Sequence, residues 1–93
     1  MTIGSLRVSI MIFDAQSLKD KRRVMRSVKD RLLNKFNISV AEVGSNDKWQ
    51  IGELGIVTVA NDKGFVQSVM QKVEDFLETT PSIRVIECEL EFL

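Results

Sequence analysis

Residues 5–32 read SLRVSIMIFDAQSLKDKRRVMRSVKDRL, and the spacing of apolar residues changes within this stretch from strand-like to helix-like. In the first part, apolar and polar side chains alternate, which is typical of a strand with one buried face. The alternating apolar residues are Leu6, Val8, Ile10 and Ile12. After residues 14–16 the apolar residues recur at helical spacing, at Val24, Met25, Val28, Leu32 and Phe36. We therefore predict a strand over Ile3–Phe13 and a helix that is capped by Ser17 and stops at Asn37.

Downstream of this helix, the pattern predicts two strands, a second helix and a last strand. Residues 38–43 predict a short strand, and the turn residues Gly-Ser-Asn-Asp at 44–47 join it in a hairpin to a strand over about 49–60. The second helix begins after Asn61-Asp62 and ends at Pro81. Its apolar stripe contains Phe65, Val66, Val69, Met70, Val73, Phe76 and Leu77. Residues 84–93 alternate again, with Ile86, Cys88, Leu90 and Phe92 predicted on one face and Glu87, Glu89 and Glu91 on the other.

The order of these elements is strand, helix, strand, strand, helix, strand. This order predicts a ferredoxin-like α+β sandwich, in which a four-stranded antiparallel sheet carries both helices on one face. No repeat, linker or low-complexity tract interrupts the 93 residues, so we expect a single domain over residues 1–93. Gly52 and Gly55 fall inside the third strand, where glycine indicates a bulge, a close packing contact or merely a weaker strand.

The composition argues against the commonest classes of enzyme. The chain has no histidine, so the usual neutral-pH base and the commonest metal ligand are both missing. The single cysteine, Cys88, falls on a predicted apolar face and is expected to be a buried, unactivated thiol. No glycine-rich phosphate loop precedes a helix. We expect no catalytic residues, no metal site and no cofactor; the alternative is a small enzyme that uses Glu42 or Asp47 as a base.

The amino-terminal residues and the cysteine content bear on location. The start of the chain lacks the charged and apolar regions of a secretion signal, and no apolar stretch approaches the roughly 20 residues of a membrane-spanning helix. A lone cysteine cannot form an internal disulfide, which favours a reducing compartment. We therefore expect a cytoplasmic protein without a membrane partner.

The first helix carries most of the positive charge. Lys+Arg and Asp+Glu are 13 each, yet eight of the basic residues lie between Lys19 and Lys35, against only two acids. At about 100° per residue, Lys19, Arg22, Arg23 and Arg26 project within one third of the helix circumference, and we call these four residues the basic ridge. Our hypothesis is that the helix binds RNA or the ribosome. The candidate residues are Lys19, Lys21, Arg22, Arg23 and Arg26. The alternative is a solvated helix face, paired with Asp30 or with acids of a neighbouring molecule.

A second hypothesis concerns the sheet face that the helices leave open. This face could join two copies in a homodimer or meet another protein, and its candidate residues are Met11, Phe13, Val43 and Trp49. The sequence has no tyrosine, and most of its five phenylalanines fall on predicted core faces, which argues against RNA bases stacking across the sheet. The row of Glu87, Glu89 and Glu91 is typical of a protected sheet edge facing Arg7; attraction of a cation is the alternative.

Two segments resemble a known family. SLKDKRRVMRSVKDRL at 17–32 and NISVAEVGSNDKWQIGELG at 37–55 resemble the uncharacterised bacterial YlxP-like family, domain of unknown function 503, and the likeness extends over the chain. The matching positions are Ser17, Leu18, Lys19, Lys21, Arg22, Arg23, Glu42, Asp47, Trp49 and Gln50. The resemblance implies a ferredoxin-like fold and a bacterial cytoplasmic protein, encoded near translation and ribosome-maturation factors, with no established activity. It leaves open whether Glu42, Asp47 and Gln50 shape the hairpin or bind a partner.

Overall fold

The computed structural model of the chain describes residues 1–45 and 47–93 and contains six regular elements. In chain order these are β1 (Thr2–Ile12), α1 (Leu18–Lys35), β2 (Ser39–Gly44), β3 (Ile51–Ala60), α2 (Lys63–Glu78) and β4 (Ile83–Phe92). The predicted turn at 44–47 includes Asn46, which lies outside the described residues. Trp49, predicted to begin the third strand, precedes β3.

The four strands form one antiparallel sheet in the order β2-β3-β1-β4. Helix α1 lies against β2, and α2 lies against β1, β3 and β4. The element order, the antiparallel sheet and its open face confirm the predicted ferredoxin-like α+β fold. Strands β2 and β4 are the two edges of the sheet, so α1 stands above one of the edges.

Each helix begins at a capping side chain. The Ser17 hydroxyl accepts a hydrogen bond from the Asp20 amide at 3.1 Å, and the Asp62 carboxylate accepts one from the Phe65 amide at 3.0 Å. These contacts satisfy amide groups that have no partner within the helix. The two caps therefore fix the residue at which each helix begins, and with it the positions that face the core.

The core lies between the helices and alternate residues of the strands. Its strand residues include Leu6, Val8, Ile10, Ile12, Val40, Leu54 and Ile56. Helix α2 buries Val66, Met70, Val73 and Leu77, as its apolar pattern predicts. Helix α1 buries Lys21, Met25, Val28 and Leu32 at the same spacing. A lysine thus occupies a core position of α1.

Gly52 and Gly55 are sites of close packing, one on each face of β3. A Cβ atom on Gly52 would lie 2.5 Å from Met25 Sδ, because the α1 side chain rests on the strand there. A Cβ atom on Gly55 would lie 2.8 Å from Val43 Cγ1. Of the three explanations for glycine in this strand, close packing is therefore the one that applies to both residues.

Register shifts occur in both edge strands, and the shift in β4 alters a predicted face. In β2, the pairing with β3 shifts between Glu42 and Gly44, so Val43 is an extra residue. In β4, Ser9 pairs with Glu87 but Ile10 pairs with Val85, so Ile86 is left between them. The prediction that Ile86 shares the buried face with Cys88, Leu90 and Phe92 is wrong: Ile86 is 51% exposed, because the bulge breaks the period of two.

Within residues 1–45 and 47–93, neither helix has the length and apolar content that crossing a lipid bilayer requires. Helix α1 is long enough in residues but carries charge through most of its turns.

Candidate functional site

The basic ridge is on the outer surface of α1, as predicted. Lys19, Arg22, Arg23 and Arg26 are all exposed. Among the described residues, ion pairs shorter than 4.0 Å join Arg7 to Glu53 and Lys21 to Glu42. None of the four ridge side chains takes part in either pair, so the proposed pairing of the ridge with Asp30 is not formed in the described part of the chain.

Lys21 does not belong to this exposed surface, and its assignment as a nucleic-acid candidate is corrected here. The residue is 1% exposed. Its Nζ lies 3.3 Å from Glu42 Oε1 and donates a hydrogen bond to the Ser45 backbone carbonyl. The physical reason is its spacing, because residue 21 lies one turn before Met25 and so shares the buried stripe of α1. That spacing was the available signal; the positive charge of the side chain obscured it.

Three residues of the basic ridge line two grooves that flank α1: Arg22 and Arg26 line one, and Arg23 lines the other. The first lies between α1 and β2, has a volume of about 250 Å³, and is called the β2 groove. It is lined by Arg22, Met25, Arg26, Lys29, Glu42 and Leu54. The second lies between α1 and the segment joining α2 to β4, and has a volume of about 410 Å³. Arg23 and Arg31 contribute its charged lining. The cations therefore face two sides of the helix. Lys29 and Arg31 lie beside the residues that were predicted to bind nucleic acid.

Among the described residues that line the β2 groove, Glu42 is the one acidic side chain. It lies on the helix-facing side of β2, opposite the buried Leu54 in the register. Its side chain is 33% exposed, and the contact with Lys21 holds one of its oxygens. A carboxylate is thus positioned beside Arg22, Arg26 and Lys29 by a lysine that solvent does not reach.

A known protein family and one bacterial protein match most of the chain. The model of a family described as protein of unknown function DUF503 matches residues 3–90. The chain belongs to the DUF503 family. This DUF503 chain is also 37% identical over 81 residues to the uncharacterized protein YlxP of Bacillus subtilis strain 168. That match covers 87% of this chain and 88% of the relative. The predicted resemblance is confirmed.

A second set of polar contacts in the DUF503 chain connects the β2–β3 hairpin to the open face. The Ser45 hydroxyl donates a hydrogen bond to Glu53 Oε2 at 2.8 Å, and Arg7 Nη2 lies 3.2 Å from Glu53 Oε1. The hydrogen bond from Ser45, followed by that from Arg7, lowers the pKa of Glu53 below its ordinary value of 4.5. Ser45 therefore contacts Lys21 through its carbonyl and Glu53 through its hydroxyl.

The four candidate interface residues are exposed. Their exposed fractions are 38% for Met11, 46% for Phe13, 47% for Val43 and 43% for Trp49. The Ile12 amide donates to the Gln50 carbonyl at 2.8 Å. Phe13 and Trp49 are the sequence neighbours of these two residues, so they lie at the same end of the sheet. Val43 lies apart from them, over Gly55. The structure therefore does not gather all four into one patch.

Two exposed apolar residues of the open face escaped the sequence analysis. Val57 and Val59 are exposed on β3 and alternate with the buried Ile56 and the half-buried Thr58 and Ala60. The alternation was the available signal, but a continuous apolar run conceals which residues face outward. On the β4 side, Glu89 pairs with Arg7 in the strand register, but the Arg7 guanidinium contacts Glu53.

Cys88 has the environment of an unreactive thiol. It is partly buried beside α2, and its burial, followed by its hydrogen bond to Glu74, raises the pKa of Cys88 to about 12. A thiol in this environment stays protonated near neutral pH and is a poor nucleophile. Over residues 1–45 and 47–93, His, Cys, Asp and Glu side chains form no group of three or more that could hold a metal ion.

Proposed function

We propose that this DUF503 protein is a non-enzymatic, cytoplasmic RNA-binding protein and that α1 is its binding surface. One observation carries the proposal: the exposed cations of α1 have no carboxylate partner among the described residues, although the chain as a whole is neutral. Unpaired arginines on a rigid helix can each hold a phosphate through two hydrogen bonds. The proposed partner is RNA, including ribosomal RNA.

The position of the cations supports this proposal. The basic residues lie along α1, which is anchored by its buried stripe and by the contact between Lys21 and Glu42. A helix held in this way presents its cations at fixed spacing, so less side-chain and backbone freedom is lost when phosphates bind. Lys19 also stands in the first turn of α1, where the helix dipole opposes a cation and favours an anion.

The test is a titration of fluorescently labelled ribosomal RNA fragments, followed by anisotropy, with wild type and R22A/R26A. Binding to single strands changes with salt by a slope of about −0.7 for each phosphate contact, so losing two contacts weakens binding about 25-fold at 0.1 M salt. The matched control is K72A/R84A, which removes two exposed cations outside α1. Equal weakening by both double variants, or no weakening by R22A/R26A, would contradict the proposal.

A second candidate function is self-association through the open face of the sheet. The observation that favours it is the exposure of Val43, Val57 and Val59, which all lie on the β2–β3 half of that face. Burying such residues against a second copy would stabilise a dimer by removing apolar surface from water. Light scattering over a range of concentrations tests this candidate. It requires a dimer that V57D converts to a monomer, and a wild-type monomer at every concentration would exclude it.

A further inference from the structure

The β2 groove combines three features that one ligand must satisfy. Arg22, Arg26 and Lys29 surround it with positive charge, Met25 and Leu54 form a floor that is only 4% and 1% exposed, and Glu42 supplies a carboxylate. Pockets for drug-sized ligands measure about 300–1,000 Å³. At about 250 Å³, the groove suits one flat group of the size of a nucleobase and not a whole dinucleotide cofactor.

The carboxylate is the feature that a simple phosphate site does not explain. A negative charge among the cations weakens their attraction for phosphate. Glu42 is nevertheless fixed in place, since Lys21 is buried and its ammonium group contacts Glu42 Oε1. Among the described residues, no side-chain or backbone group donates a hydrogen bond to Glu42 Oε2. The groove therefore presents a positioned acceptor to its ligand.

A ligand for this groove needs hydrogen-bond donors for Glu42, a flat ring that can stack on a guanidinium group and flanking phosphates. Unpaired RNA bases are recognised through their Watson–Crick edges. Guanine has two adjacent donors on that edge, N1–H and the N2 amino group. In adenine, cytosine and uracil, every donor on that edge has an acceptor beside it, which a carboxylate repels. Guanine alone matches a carboxylate with two acceptor oxygens, since Glu42 Oε1 keeps a second lone pair beside its contact with Lys21.

We propose that the β2 groove binds one unpaired guanine of RNA, with Glu42 as the residue that determines specificity and Lys21 as its positioning residue. This inference rests on the proposed RNA binding by α1. The guanine edge donates to Glu42, and its ring stacks on the guanidinium group of Arg26, which lines the groove. Arg22 and Lys29 are seven residues apart, about 10 Å along the helix axis, so they can contact the phosphates on both sides of the bound nucleotide.

The experiment uses four labelled nine-residue RNAs of uridine that carry G, A, C or U at the central position. Affinity is measured by anisotropy for wild type, E42Q and the control E87Q, which makes the same change of charge on the open face. A bidentate base contact discriminates by roughly tenfold or more. We expect wild type and E87Q to prefer the guanine RNA by about that factor. E42Q, whose side-chain amide offers one acceptor and one donor, should lose the preference for the guanine RNA.

A fifth RNA with inosine at the central position tests the base directly, without altering the protein. Inosine lacks the N2 amino group, so wild type should bind it several-fold more weakly than guanine. This comparison decides the matter if E42Q fails to fold.

The outcomes separate the two proposals. Binding of all RNAs with equal affinity by wild type, or a guanine preference that persists in folded E42Q, would overturn the inference and leave RNA binding by α1 intact. Failure of wild type to bind any of the RNAs or ribosomal fragments would overturn both.

Discussion

Helices α1 and α2 bury their side chains at the same intervals but use one position differently. In α1 the buried positions are Lys21, Met25, Val28 and Leu32; in α2 they are Val66, Met70, Val73 and Leu77. Lys21 thus occupies the place that Val66 occupies in α2. Helix α1 stands over an edge strand, where the Glu42 carboxylate and the carbonyl of the following Ser45 contact Lys21, whereas Val66 lies against Gly4 of a central strand. A core position accepts a lysine when the strand beneath it supplies partners.

The largest expected effect comes from placing a lysine at the corresponding position of α2. V66K would put an ammonium group against Gly4, where the wild-type valine is already closely packed. A buried charge without a partner destabilises by about 3–5 kcal/mol. Urea denaturation should show this loss in the free energy of unfolding. The control Q67K adds the same charge at an exposed neighbouring position and should change stability by less than about 0.5 kcal/mol.

If V66K lost no more than Q67K, the comparison between the helices would be mistaken, because the core would then accept a lysine without partners.

The converse change removes the buried charge of Lys21 from α1. K21M keeps a long apolar stem in the core but removes the ammonium group that contacts Glu42 and the Ser45 carbonyl, and that carbonyl still accepts from the Lys48 amide. We expect a loss of about 1–2 kcal/mol in the free energy of unfolding, since Glu42 stays partly solvated. K19M, at an exposed position, is the control. A K21M protein as stable as wild type would show that the contact with Glu42 contributes nothing to the fold.

The two helices also show how far a sequence can predict this molecule. Apolar periodicity predicts both helices, all four strands and their order, because burial of one face dominates the choice of local structure. Lys21 was misassigned because charge was taken to imply exposure. Ile86 was misplaced because a bulge depends on strand pairing, which one segment does not reveal. The carboxylate of Glu42 in a basic groove arises from contact between distant segments, so no local pattern indicates it.

A smaller effect on stability is expected from the contacts of Glu53 with Ser45 and Arg7. Hydrogen bonds from Ser45 and Arg7 lower the pKa of folded Glu53 below 4.5, so its charged form contributes stability above the unfolded pKa. That contribution is lost as the pH falls through the lowered, folded pKa. The melting temperature of wild type should therefore exceed that of E53Q at pH 7, and the difference should shrink below about pH 4.5.

The control for this pH series is E89Q, since Glu89 takes part in neither described ion pair. A difference between wild type and E53Q that is constant from pH 7 to pH 3 would show that the charge of Glu53 does not act through these contacts.

The central claim, that α1 is the RNA-binding surface, is tested most directly by mapping backbone amide shifts in NMR spectra during titration with a single-stranded RNA. The account predicts that the largest shifts fall on residues 19–31 of α1 and residues 41–44 of β2, and that they disappear at high salt. Shifts confined to the open face of the sheet, around residues 5–9 and 85–91, or no shifts at all, would contradict it.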